Sequence, residues 1–163
     1  MPLYPRPTPQ ALVIPQYNAG IAAGAWPAVN RAVFARFQLT VATPLRYLNW
    51  TCDVQSGNVQ AGVVSLSGTD RTTYARVMSS GVIACPAAGS IRTDLGLTLL
   101  APGDYAMFLW ADNVTFQTRY GTASALTAMR ITGIASSLAS GVGTTGTLTW
   151  SNVVLNCCLE ADV

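Results

Sequence analysis

From Arg31 onward, apolar and polar residues alternate with a period of two, and the alternation breaks at clusters of Gly, Pro, Ser, Asn and Asp. Successive side chains of an extended chain point to opposite faces, so this rhythm predicts strands with one face buried. Val33, Ala35, Phe37, Leu39 and Val41 alternate with Phe34, Arg36, Gln38 and Thr40, and Leu48, Trp50, Cys52 and Val54 share a face of the next strand. Gln55-Ser56-Gly57-Asn58 and Ser67-Gly68-Thr69-Asp70 are turn chemistry, bracketing a strand from Val59 to Leu66 and leading to another from Thr72 to Met78. Strands near 82–85 and 90–97 precede the turn Ala101-Pro102-Gly103-Asp104, where Pro presets the first corner and Gly accepts a positive φ.

The run from Tyr105 to Ala111 is apolar in both alternating sets, Tyr105, Met107, Leu109 and Ala106, Phe108, Trp110. That predicts a central strand buried on both faces. Val114 to Tyr120 follows, a short helical turn is expected in 122–129, and the last strands are expected near 128–135 and 146–157. Many short strands with turn signals between them and no long helix predict an all-β fold: an antiparallel β-sandwich, jelly-roll-like.

The first thirty residues differ. Five of the nine prolines (Pro2, Pro5, Pro7, Pro9 and Pro15) crowd into the first fifteen positions. Proline fixes φ, lacks an N–H and extends its predecessor, so residues 1–30 read as an extended arm ahead of a sandwich domain at 31–163. The arm carries Leu3, Tyr4, Leu12, Ile14, Tyr17 and Trp26, too apolar for a solvated tail, and docking onto a protein surface is favoured over disorder.

Composition narrows the function classes. Charged residues are only 10% of the 163 positions, against roughly 25% in an ordinary soluble domain. So little charge excludes a disordered chain and a basic nucleic-acid binder, and it leaves a lone monomer poorly protected against self-association. There is no histidine, hence no Ser-His-Asp or Cys-His nucleophile and no imidazole metal ligand. The longest strictly apolar run spans the seven residues 105–111, against ~20 for a spanning helix, so membrane insertion is not expected. MPLYPRPTPQ has no apolar core and does not read as a secretory signal.

The remaining candidates favour structure over chemistry. Cys157 and Cys158 are adjacent and should face opposite ways on a strand, and no C-x-x-C spacing exists, so no metal or other cofactor is expected. Cys52 reads as a small buried hydrophobe, with a bridge from Cys85 to Cys157 or Cys158 as the minority alternative. Asp53, Asp70, Asp94, Asp104 and Asp112 offer no evident glycosidase pair, and Asp70, Asp104 and Asp112 fall in turns that favour aspartate. Asn49-Trp50-Thr51 and Asn113-Val114-Thr115 are chance sequons. Alternation spreads Arg31, Arg36 and Arg46 between faces, against a nucleic-acid site. Periodicity buries Trp50 and Trp110 and leaves Trp26 and Trp150 as candidate interface anchors.

One stretch carries a resemblance. Val59-Gln60-Ala61-Gly62-Val63-Val64, the Ser-Gly-Thr-Asp turn, Ser79-Ser80-Gly81, and Thr98-Leu99-Leu100-Ala101-Pro102-Gly103-Asp104-Tyr105 running into Ala106-Met107-Phe108-Leu109-Trp110 cover about a third of the chain. Together they resemble the β-sandwich accessory proteins of tailed bacterial viruses: minor tail, tail-tip and head-decoration proteins. The resemblance implies a non-enzymatic structural or adhesive role in a virion assembled in the host cytoplasm. It also implies a homo-oligomer, with a trimer favoured, bound to other virion proteins. It supplies no catalytic residues. The alternative is a carbohydrate-binding module that docks on a host surface glycan, which accounts for the tryptophans but not for the arm or the low charge.

Overall fold

The computed structural model describes residues 22–122, 132–135, 138–151, 153–155 and 157–161. Among these the chain forms strands and no helix. The strands are β1 (Ala22–Ala25), β2 (Arg31–Leu39), β3 (Thr43–Val54), β4 (Asn58–Ser67), β5 (Thr73–Ser79), β6 (Ile83–Ala84), β7 (Gly89–Leu100), β8 (Gly103–Ala111), β9 (Gln117–Thr122), β10 (Thr132–Ala135), β11 (Thr145–Ser151), β12 (Val153–Leu155) and β13 (Cys157–Glu160). Every strand pairing is antiparallel, and the strands divide into two curled sheets.

One sheet runs β5-β11-β10-β2-β8-β4-β6, and β5 also pairs with β4. That extra pairing joins the two ends, so hydrogen bonding passes around a ring of six strands with β6 attached at its rim. Closing a sheet on itself removes its unpaired edges, the usual liability of an all-β protein. The second sheet holds β1, β9, β3 and β7 with β12 and β13, which pair first with β9 and then with β3.

Two cores follow from this arrangement. Inside the ring lie Ala32, Phe34, Val64, Leu66, Tyr74, Ala106, Phe108, Trp110, Val142 and Leu148. Phe34 packs against Tyr74 at 5.4 Å and Phe108 at 5.7 Å between ring centroids. Space there is tight: a Cβ at Gly62 would meet the Met78 carbonyl and the Phe108 ring, and one at Gly146 would meet the Tyr74 ring. Between the ring and the second sheet lies the larger core, with Val33, Phe37, Val63, Met107 and Leu109 from the ring facing Leu45, Leu48, Trp50, Phe116 and Leu159.

The wall between the cores is β2, β8 and β4, whose alternate side chains enter one core and then the other. The sequence led us to expect two-sided burial only at 105–111; β2 and β4 share it. In β2, both faces are apolar from Ala32 to Ala35, and only its far half carries Arg36 and Gln38. The polar residues Arg36 and Gln38 in β2 and Gln60 in β4 mask the two-sided burial that the unbroken apolar run of β8 displays.

Polar groups close the ends of the ring. At one end Asp104 accepts from Arg36 at 2.9 Å and Arg71 at 2.7 Å. At the other, the Trp110 indole N–H donates to the Leu138 carbonyl at 2.9 Å. Beside it the Val142 N–H donates to buried Gln60 Oε1 at 2.6 Å. These bonds let the segment from Leu138 to Val142 cover the mouth without leaving the indole N–H or the Val142 N–H without an acceptor.

Several boundaries shift from expectation. The expected start of the fold at Arg31 moves back to Ala22, because β1 pairs with β9 over four residues and the Trp26 N–H donates to the Phe116 carbonyl. The sequence AAGA of β1 has no alternation to announce it. β2 ends at Leu39, leaving Val41 exposed, and Val114 sits in the turn before β9. The single last strand expected over 146–157 is broken into β11, β12 and β13. The helical turn expected over 122–129 and most of the arm, including Leu3, Tyr4, Leu12, Ile14 and Tyr17, lie outside the described residues.

Replacing Trp110 with Ala should cost about 3–5 kcal/mol, since the ring interior cannot collapse around so large a gap and the Leu138 carbonyl loses its donor. Trp26→Ala should cost a similar amount, which a tail residue docked elsewhere would not. Denaturant melts of the two variants measure both losses.

Candidate functional site

The described surface offers three places to look for function: the outer face of the second sheet, the polar end of the ring, and a pair of buried thiols. On the outer face the register aligns charged residues in cross-strand rows. Tyr47 lies opposite Asp94 and Glu160, and Asn49 lies opposite Arg92 and Cys158. Arg46 holds Asp94 at 2.9 Å, Arg92 holds Glu160 at 2.7 Å, and Arg119 holds Asp53 at 3.2 Å. The Arg92 guanidinium also stacks 3.5 Å from the Tyr47 ring centroid, and Asn49 donates to Glu160 at 3.1 Å.

These contacts set the protonation states. The hydrogen bond from Arg92, then that from Asn49, holds the Glu160 carboxyl below its ordinary range. Arg46 does the same for Asp94, helped by the Gly96 N–H. At Asp104 burial pushes upward, but the bonds from Arg71 and Arg36 outweigh it and the net shift is down. A glycosidase acid requires a carboxyl raised to hold its proton near neutral pH; these three move the other way. Their arrangement can order strands and neutralise a surface.

The sequence placed Asp104 in a turn-forming role; the structure instead uses it to join β2, β8 and Arg71. Asp112 likewise reaches beyond its own turn: its carboxylate accepts from the N–H and the side-chain amide of Asn58, at the start of β4, each at 2.7 Å. Arg31, Arg36 and Arg46 are not brought together: Arg36 reaches the ring end and Arg46 the outer face of the other sheet. Among the described residues no group of three or more Cys, Asp or Glu side chains converges as a metal site would require.

Trp50 and Trp110 are buried as expected. Trp26 is the correction. It is 2% exposed, meets Phe116 edge-on at 5.3 Å and donates its indole N–H to the Arg31 carbonyl at 2.9 Å. An indole held on every side within its own chain is not available to anchor a partner. Trp150 sits on β11 opposite Gly133, and its side chain lies outside the described residues.

The thiols were only partly legible. Cys157 is buried and Cys158 half-buried on opposite faces of β13, as alternation requires. Cys85, whose expected alternative partners were the C-terminal cysteines, lies instead against Cys52, with their Sγ atoms 3.7 Å apart. No spacing rule could find this pair, because the contact crosses between the two sheets.

Exposed aliphatic residues replace charge over parts of the surface. Val41, Leu97 and Leu99 are each at least 60% exposed, and Val77, Val82 and Ile83 are also exposed. Leu97 and Leu99 belong to β7, which pairs with β3 in a register shifted between Leu45 and Tyr47. The extra residues of β7 include Gly96 at φ 80°. Such a bulge breaks the straight edge that another strand would need for pairing.

Asp104→Asn should lower stability by about 1–2 kcal/mol at pH 7, because two guanidinium groups lose a charged acceptor at a largely buried position. A carboxyl whose pKa is depressed by folding stabilises above its unfolded value and loses that contribution as pH falls through the folded one. The gap between wild type and variant should therefore be constant above about pH 5 and close below about pH 4. Melts across that range measure it.

No family model, curated protein or solved structure matches the chain.

Proposed function

We propose that this chain is a non-enzymatic structural subunit of a tailed bacterial virus: a minor tail, tail-tip or capsid-decoration protein. In this reading a jelly-roll-like β-sandwich is displayed on the particle and docks through its N-terminal arm, with Leu3, Tyr4, Leu12, Ile14 and Tyr17 as anchors. Trp26 leaves that set, since it is built into the core. The observation that carries the reading is the character of the described surface. Asp53, Asp94, Asp104 and Glu160 are each held by arginine, while nine valine, leucine and isoleucine side chains stand exposed. Such a surface suits permanent contact with other proteins better than life as a free monomer.

The burial of the tryptophans weighs against the glycan-binding alternative. Sugar-binding platforms offer exposed aromatic faces, and three of the four tryptophans are in the cores.

Sedimentation should give a multiple of the 17.1 kDa chain mass, with three copies favoured, and a concentration-independent monomer would remove the assembly reading. For the arm, the informative truncation removes residues 1–21 and keeps β1 and Trp26. The shortened chain should melt cooperatively yet fail to enter particles lacking the native copy. Unchanged uptake would assign docking elsewhere.

A further inference from the structure

Cys52 lies on β3 and points into the core between the sheets, and Cys85 directly follows β6 at the rim of the ring. Both side chains are buried, at 1% and 2% exposure, and both are thiols with Sγ atoms 3.7 Å apart. The backbone around Cys85 is pinned. Its N–H donates to the Gly57 carbonyl at 2.9 Å, and its carbonyl accepts from Gln55 Nε2 at 2.7 Å. Both thiols also lie within 3.6 Å of the Pro86 carbonyl. The strand carrying Cys52 and the segment carrying Cys85 are thus held in one place by bonds that do not involve sulfur.

We propose that Cys52 and Cys85 form a disulfide in an oxidising environment, and that it locks the β6–β7 connection onto β3 and so ties one sheet to the other. A disulfide requires sulfurs at about 2.05 Å, so the bond draws the two Sγ atoms closer than their present 3.7 Å contact. The oxidant is a disulfide, of the class of oxidised glutathione. One cysteine, as thiolate, attacks it and expels one thiol, leaving a mixed disulfide. The second cysteine then attacks the protein sulfur of that mixed disulfide and expels the second thiol. Two cysteine thiols are oxidised to one Sγ–Sγ bond, and the oxidant takes up two electrons and two protons as two thiols.

Burial sets when this happens. Burial first, and the hydrogen bond with Cys85 second, push the Cys52 thiol up to about 12, so the closed protein presents almost no thiolate there. Exchange then belongs to the folding chain or to its transient openings, and once made the bond is shielded from reductants. The bond therefore records the redox state of the compartment in which the chain folded or opened, rather than answering quickly to changes. Cys157 and Cys158 are not the partners, because β13 sets them against Trp50 and Asn49.

The link would span 33 positions of the chain, and constraining a loop of that length should raise the melting temperature by about 7–15 °C. The full chain is incubated with oxidised glutathione and sub-denaturing urea, or with excess dithiothreitol, then alkylated under denaturing conditions and mapped by mass spectrometry. The oxidised sample should show two alkylated cysteines and a Cys52–Cys85 peptide, and the reduced sample four alkylated cysteines. The melting shift should survive in a C157S/C158S variant and vanish in Cys85→Ser. Four alkylated cysteines after oxidation, or a bridge to any other cysteine, would overturn the pairing, and the peptide map decides this even if Cys85→Ser folds poorly. A mapped bridge without a melting shift would overturn its role as a lock.

Discussion

The fold depends on three strands that must satisfy two cores at once. β2, β8 and β4 give alternate side chains to the ring interior and to the space beneath the second sheet, so their backbones lie between apolar layers. Backbone N–H and C=O groups cannot find water there and must pair with one another. β8 sits at the centre with β2 on one side and β4 on the other, which gives both of its edges a partner. The close approach of the Phe108 ring to Gly62 is one result: ring and backbone fit only because position 62 has no side chain.

Charge is distributed by the same constraint. A chain that places most of its strand surface in two cores has little outer face left, and its few ions gather where the cores end. The Arg36–Asp104–Arg71 group closes one end of the ring, and the pairs on β3, β7, β9 and β13 cover the outer face of the second sheet. Each carboxylate in these groups is matched by arginine, whose fixed fork and constant charge suit such pairing. The low charge content thus goes with an architecture that places most of its strand surface in two cores.

The candidate sites were legible in uneven measure. Trp50 and Trp110 could be assigned to the interior because they sit within alternating runs, where position predicts face. Trp26 could not, because the β1 sequence before it has no alternation, and only its pairing with β9 places the indole beside Phe116. Asp104 was read from its turn, a local rule, whereas its partners come from β2 and from the loop before β5. Cys52 was correctly read as buried; that Cys85 is its neighbour depends on how one sheet lies over the other.

The all-β, antiparallel character was set by the sequence alone, through period-two alternation and turn residues, since both act between neighbours along the chain. The approximate places of most strands from β2 to β9 follow from the same local signals. Tertiary structure decided which strands have two buried faces, that β5 closes a ring by pairing with both β4 and β11, and that β12 and β13 pair with different strands. Those choices depend on contacts between residues far apart in sequence. Alternation states which side chains share a face, and a wholly apolar run such as 105–111 shows that both faces are covered; where polar or small residues interrupt the run, as at Arg36, Gln38, Gln60 and Gly62, only the strands packed on each side decide it.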